Sequence, residues 1–563
     1  MKVAPTPAVG ETRDEFKFKK QPKFDDNTGA TSSYTCLDRV LELGRKLFAG
    51  YNKLQVSHRG MYSLERLKAF QAYCEKTSTA HAVAVCLLTP VPPLLGIVLL
   101  ECIPVVDPDL GWKANFGFWV RFFLSGMIIA LCTTYQISGL IERLHLSLLK
   151  SVRIAVMVMT LYAGTLVVIA AVWVFPVPFG VVVGIGPCFL VFSFILVFTI
   201  GLKTFMANPG LTHEIQLQFC VLGVQGLIAI LYPAFSGIYA KASSNERAGL
   251  VLLLPLTKLT MKNIVAWASS HLEDQVPLIA VFSIEVFNAL YVATCMQSTK
   301  STLATVIIIS FDVVSGIFTF YSLIHRTRAI QRQMQRLEAD LATEKHESGD
   351  LVPKVMAASQ HLRSFRTRRG PVIRVRAPLR LLLDVENERV LESLTRHLVS
   401  FEKREAVRVP IATKMGIPQG EDQKLELVES ALQLLFNCEY HVLVEYVECA
   451  VPLIFGIYLS ILCQLPSRKS YPMTRDMVGG QLESMLTCLS VYVALEILSF
   501  VVMHVALTCK FKLSALYLLA FVLETQVVQI QARLFFWIVF ILQFTLQHYG
   551  VDFSFHFAWI HQH

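Results

Sequence analysis

Three ionisable side chains, His441, Glu445 and Glu448, step by four and three through NCEYHVLVEYVECAVPLIFGIYLSIL, which from Val442 onward reads as a membrane-spanning helix. At helical pitch that spacing places all three on one face. Pro452 follows on the same stripe, and because proline has no N–H, the carbonyl of Glu448 loses its helical donor. Two carboxylates, an imidazole and a freed carbonyl make an oxygen-rich strip suited to a proton or a hard cation. Like charges one turn apart raise each other's cost, so a pair of acids here favours a working role over a purely structural one.

Other apolar runs carry similar groups. Glu285 shares a face with Asn288, and Asp312, Ser315, Thr319 and Ser322 form a polar stripe. Glu496 and His504 stand two turns apart, and Glu524 lies in a polar stretch with Gln526, Gln529, Gln531 and Arg533. Against these acids stand Lys258, Lys262 and Arg533, candidates to pair with them across helices. A charge at mid-bilayer costs from about 2.5 kcal/mol upward, so each should face a partner or water. Buried interhelical ion pairs that only fix packing are the competing reading. Arg121, in the aromatic cluster FGFWVRFF near a span end, is expected to snorkel to the interface. Cys438, Glu439, His441 and Glu445 are of mixed type at no recognised metal spacing, and no metal or cofactor is expected. There is no Walker loop, GxSxG, HExxH or dinucleotide fingerprint, so no catalytic residue is assigned and enzymatic chemistry has no support.

The elements that must hold these groups follow from composition. The chain has 563 residues, 54% hydrophobic and 17% charged, with a mean hydropathy of +0.52, far from the roughly 25% charged content of soluble domains. This is the signature of an integral membrane protein of all-α class, a polytopic helical bundle. The net charge of +9 arises from basic segments before and between apolar runs, which fits cytoplasmic loops and argues against nucleic acid as a partner. Most of the thirteen cysteines fall inside apolar runs and no CxxC pair occurs. The first eighty residues contain no apolar signal region, and Lys2 is incompatible with N-myristoylation.

Apolar stretches long enough to span lie at 82–106, 117–140, 154–175, 178–202, 217–240, 276–297, 303–324, 441–463 and 482–507. The stretch 249–271 is ambiguous because of Lys258 and Lys262. Basic segments before Ala82 and over 325–437 should share the cytoplasmic side, which requires an even number of crossings between them and makes 249–271 the eighth. The stretch 513–546 reads as one buried helix or a re-entrant pair, leaving the side of the C-terminus open. The expected organisation is a cytoplasmic tail and amphipathic helix (1–80), about eight spans (81–324), a helical and disordered cytoplasmic insert (325–437), a second bundle (438–546) and a tail (547–563), or about 10–12 spans in all. The plasma membrane is the working location.

Outside the spans, Ser63 precedes Leu64, Leu67, Phe70 and Cys74, an N-capped amphipathic helix expected to pack under the bundle or lie on the inner leaflet. Ile330, Met334, Leu337 and Leu341 suggest a helical extension of the preceding span into water. Arg363, Arg366, Arg368, Arg369, Arg374, Arg376 and Arg380 form a basic cluster, read first as a solvated loop obeying the positive-inside bias and second as a patch for anionic inner-leaflet lipid at about 1 kcal/mol per residue.

Four runs, LLTPVPPLLGIVLLECIPVVDPDLGWKANFGFWVR, LLPLTKLTMKNIVAWASSHLEDQVPLIAVFSIEVFNALYVATCMQS, VEYVECAVPLIFGIYLSIL and QHYGVDFSF, together resemble a large family of multi-pass membrane proteins from oomycetes. The resemblance extends from about Ser63 to the end and implies a topology; the family has no assigned activity and supplies no ligand residue. Two functional readings therefore come from the residues alone. One is a transporter or channel moving a small solute or ion through intramembrane carboxylates; the other is a receptor or scaffold whose basic segment recruits partners or lipid.

Overall fold

The computed structural model describes residues 60–144, 146–241, 253–298, 351–360, 373–379, 383–389, 419–475 and 479–552, with isolated positions elsewhere. Among the described residues the chain is helical without strands, and nine helices are long and apolar enough to cross a membrane. The protein is a polytopic α-helical membrane protein.

The first helix, α1 (Leu64–Lys76), begins where Ser63 adopts extended backbone and its hydroxyl accepts from the Arg66 N–H at 3.2 Å. Leu64, Leu67 and Phe70 are buried as their spacing predicts, while Cys74 is exposed. Phe70 and Tyr73 both meet the Phe521 ring edge-on at 5.6 Å. The helix thus packs against the bundle on this face.

The expected span 82–106 is interrupted: α2 (Thr79–Leu88) and α3 (Val91–Glu101) meet at Thr89–Pro90. The cause is the VPP sequence. The residue four beyond Thr89 is Pro93, so the Thr89 carbonyl has no helical donor, and Gln531 supplies one instead at 2.7 Å. Next come α4 (Phe116–Ser138), α5 (Leu148–Val172), α6 (Gly180–Ile200), a short helix over Leu202–Ala207, and α7 (Pro209–Lys241). In α6, Gly184 lies directly beneath the Tyr162 ring of α5, where a Cβ would collide. Gly184 therefore serves close helix packing.

Helix α8 (Leu253–Ala268) and the composite helix after it, α9 (Val276–Ala280), a π-helical turn (Val281–Glu285) and α10 (Val286–Ser298), follow one another across a short connection at 269–275. The span Ser270–Ala293 is 94% buried within the protein, against 22% for α6, so it is the central pillar of the bundle. The run Asp312–Ser315–Thr319 and the extension Ile330–Leu341 fall outside the described residues, while Ser322 of the same stripe is buried. Helix α11 (Leu351–Gln360) leads to α12 (Gln419–Leu462), whose 44 residues would extend for about 66 Å at 1.5 Å per residue, about twice the hydrocarbon thickness. It continues to α13 (Gly479–Phe511), α14 (Ala515–Thr525) and α15 (Val527–Phe544).

The stretch 513–546 is helical in two pieces. Helices α14 and α15 break at Gln526 (φ −114°, ψ 24°), and they run alongside α2 and α3 in the same direction. Thr79 meets Tyr517 at 3.0 Å near one end, Gln531 meets Thr89 midway, and His548 meets Val106 at 2.6 Å beyond the other. It is one interrupted crossing.

Loops sort onto two sides accordingly. On one side, Arg374 pairs with Glu273 at 2.6 Å, and Glu65 accepts from the N–H groups of Ala377 and Leu381 at 2.9 and 3.1 Å. The segments before α2 and around 375 therefore share a side, as charge bias requires. On the other, the Phe179 N–H donates to the Gly550 carbonyl at 3.0 Å, which places residues after α15 beside the turn between α5 and α6.

Candidate functional site

The central pillar carries Glu285 at the last position of its π-helical turn, fully buried. A π turn inserts an extra residue and shifts the register of the face that follows, a distortion that recurs at functional sites. From α8, one turn apart, Lys258 and Lys262 both converge on Glu285: Lys258 Nζ lies 2.8 Å from one carboxylate oxygen, and Lys262 pairs with the other. Lys258 also reaches Glu448 of α12 at 3.2 Å, so one ammonium bridges two carboxylates on two helices. Lys262 stands 5.7 Å from the centre of the Tyr440 ring, a cation–π approach. Both lysines thus pair with acids on other helices.

Glu445 goes elsewhere. It bonds to the Ser499 side chain of α13, and its Oε2 has no partner among the described residues. Glu445, Glu448 and Glu496 all lie within electrostatic reach of the Cys449 sulfur, so the three acids gather where α12 meets α13. The strip read from sequence as one face is thus divided, with Glu448 claimed by a lysine and Glu445 by a hydroxyl. His441 is half-buried at the near end of the strip, its ring edge-on to Tyr440 at 5.4 Å. His504 is half-buried, its Nδ1 unpartnered among the described residues. No group of three His, Cys, Asp or Glu among the described residues is arranged to hold a metal.

The remaining candidates lie apart from this cluster. Glu524 is 45% exposed and accepts from the Tyr73 hydroxyl at 2.8 Å, with His81 Nε2 at 3.0 Å. Arg533 is buried and meets no carboxylate among the described residues; its Nη1 donates to the Gln529 carbonyl at 3.1 Å and side-chain oxygen at 2.6 Å. Arg374 and Arg376 engage Glu273 and Glu388, at 2.6 and 2.7 Å. Proximity to Glu388 raises the affinity of Arg376 for its proton. Asp312 and the other five arginines of the basic cluster, Arg363, Arg366, Arg368, Arg369 and Arg380, are outside the described residues.

Two buried clusters escaped sequence reasoning. In the first, Arg66 donates to Glu439 through Nε at 3.2 Å and Nη2 at 2.8 Å, and Tyr62 bonds the same carboxylate. Beside it Asp274 accepts from the Ser63 hydroxyl at 2.6 Å and N–H at 3.2 Å. Burial lowers the Arg66 pKa to about 10 and Asp274 opposes the shift, so the guanidinium stays charged at neutral pH. The second corrects the expectation for Arg121. That side chain does not snorkel: it is fully buried and pairs with Glu101, while donating to the Tyr471 hydroxyl at 2.6 Å. Tyr458 and Tyr471 donate to the same Glu101 oxygen at 3.0 and 2.6 Å. The signal was present, since Glu101 and Arg121 are single opposite charges at the facing ends of consecutive spans.

No protein-family model, curated protein or solved structure matches this chain.

Proposed function

We propose that this protein moves a small solute or ion across the membrane, coupled to protonation or cation binding at Glu445 beside the Lys258–Lys262–Glu285–Glu448 cluster. One observation carries the reading. Two lysines answer two carboxylates, Glu285 and Glu448, and Glu445 stands one turn from Glu448 with a hydroxyl for a partner and one oxygen open. A proton or cation taken up at Glu445 relieves its repulsion with Glu448. That strengthens the hold of Glu448 on Lys258, which is shared with Glu285 on the central pillar. Occupancy at α12 is thereby felt as a change in how α8 and α12 grip the pillar, and the π turn at Glu285 is the backbone element suited to absorb it.

The test is flux in reconstituted vesicles bearing a lumenal pH dye, with monovalent cations and small anions presented in turn. Glu445→Gln should abolish pH- or cation-dependent flux while the protein keeps its elution profile and melting temperature. A wild-type chain that moves nothing in this panel, or a Glu445→Gln variant that moves it equally well, sinks the proposal.

A receptor or scaffold role draws on a different observation, the docking of residues 374–381 on α1 through Glu65. Under that reading Glu445→Gln leaves every phenotype intact, whereas excising Arg363–Arg380 abolishes it.

A further inference from the structure

Between α4, α5, α6, α7 and α15 lies a cavity of about 410 Å³. No Lys, Arg, His, Asp or Glu is among its lining residues. Aromatic rings such as Phe122, Tyr162 and Phe540 supply broad flat walls. An anionic headgroup would find no counter-charge here, and in hydrocarbon that excludes it. An apolar body is what the walls accept.

Two amides in the wall are incompletely bonded. Gln543 is 2% exposed; Ser125 Oγ lies 2.6 Å and the Tyr549 hydroxyl 3.2 Å from its Oε1, and its Nε2 has no partner among the described residues. Whichever way the amide is turned, one of its two polar atoms is left open. Gln225, 1% exposed, donates from Nε2 to Gln136 Oε1 at 3.2 Å and Ser283 Oγ at 2.9 Å, and its own Oε1 is unpartnered among the described residues. Buried amide atoms without partners are uncommon and call for a ligand atom or water.

The entrance is marked by glycine. Gly186 of α6 and Gly223 of α7 line the cavity, are themselves exposed, and have nothing within 4 Å of where a Cβ would stand. The neighbouring Val183, Leu190 and Leu227 are 71%, 69% and 44% exposed, so the opening faces the surface these helices turn to lipid. Entry is from the side, out of the bilayer.

We infer that this cavity binds an uncharged, hydroxyl-bearing membrane amphiphile, with the hydroxyl at Gln543, Ser125 and Tyr549 and the hydrocarbon body directed along α4 toward Gln225. A hydroxyl both donates and accepts, so it completes the Gln543 amide in either orientation. Along α4 the lining runs from Phe122 to Thr133, about 16 Å at 1.5 Å per residue, the length of a fused-ring skeleton or a long acyl chain. Two sources present this chemistry, a sterol and a diacylglycerol. The site is independent of Glu445 and its neighbours.

The inference is tested by photolabelling the purified protein in lipid nanodiscs with photoactivatable sterol, diacylglycerol and phosphatidylcholine probes, each with and without unlabelled competitor. Saturable labelling of α4 or α15 peptides by the sterol or the diacylglycerol probe is expected, and whichever labels identifies the source. Gly186→Leu and Gly223→Leu place side chains in empty space, so each should lose saturable labelling with an unchanged elution profile. Gln543→Leu should weaken competition roughly tenfold, the loss of about one hydrogen bond. Labelling that is unsaturable in the wild-type chain, equal for phosphatidylcholine, or undiminished in a folded glycine variant overturns the proposal. The wild-type competition alone decides the matter should both glycine variants fail to fold.

Discussion

The Glu101–Arg121 cluster and the Lys258–Lys262–Glu285–Glu448 cluster are built from the same materials and differ in arithmetic. In the first, one guanidinium meets one carboxylate, and two tyrosine hydroxyls from Tyr458 and Tyr471 converge on the same oxygen. The charges balance one to one, although Glu101 Oε2 and Arg121 Nε and Nη1 meet no partner among the described residues, and the groups join α3, α4, α12 and the loop at Tyr471 into one block. In the second, one lysine is shared between acids on different helices, and a further carboxylate, Glu445, waits one turn away with a serine for company. A balanced pair fixes geometry. An imbalanced one can change its pairing when a proton or cation arrives, and that is the difference between a rivet and a working part.

Substitutions can break this contrast or sharpen it. Removing Arg121 should have the largest effect: Arg121→Met leaves Glu101 buried without its counter-charge, a loss of about 3–5 kcal/mol, and Glu101→Gln in the same chain should restore much of it. Thermal unfolding in detergent measures both. An equally mild response from Arg121→Met and Glu445→Gln would erase the distinction.

Next in size is a pH effect in the loop layer beyond Glu101. His548 is buried with Nε2 2.6 Å from the Val106 carbonyl and 3.0 Å from Asn115 Oδ1, and burial lowers its pKa to about 4 from the usual 6.5. Above pH 6.5 the imidazole is neutral whether the chain is folded or not. As pH falls from 6.5 toward 4, the unfolded chain takes up a proton that the folded one refuses, so stability declines through that window, by an amount of order 2–3 kcal/mol. The difference in melting temperature between wild type and His548→Gln, followed from pH 7 to pH 4, should shrink accordingly.

Glu445→Gln comes third, and its two readouts should part company. With no basic group to abandon, the substitution should change stability by less than about 1 kcal/mol, while the flux described above disappears. Large destabilisation would show instead that Glu445 is a structural member. The smallest effect belongs to Lys76 and Asp384, an ion pair 62% and 58% exposed. Lys76→Ala should move stability by less than about 1 kcal/mol, and added salt should remove even that.

The sequence already displayed the class of fold, because twenty-residue apolar runs admit few alternatives. It displayed Lys258 and Lys262 as partners for acids, since ammonium groups in an apolar run need them. It did not reveal which acid each would choose: Glu448 and Glu445 share a face by periodicity, and only the placement of α8 and α13 on either side of α12 separates them. Arg121 was misread because flanking aromatics are equally common at the membrane interface and in a packed core. The interruption at Thr89 was legible in principle, as Pro93 removes the donor its carbonyl needs. The answering group, Gln531, lies 442 residues away, beyond any local pattern. Arg66 and Glu439 are similarly remote, 373 residues apart.

The two interrupted crossings, α2–α3 and α14–α15, lie side by side and fail at neighbouring points, Thr89 and Gln526, with Gln531 stitching across. At the first of these gaps a carbonyl without a helical donor is answered by a side chain from the other crossing. Tyr446 of α12 donates to the Cys86 carbonyl at 3.0 Å, just before that gap, and Tyr446 is the immediate neighbour of Glu445. One hydrogen bond thus ties the end of α2 to the helix that holds the acids.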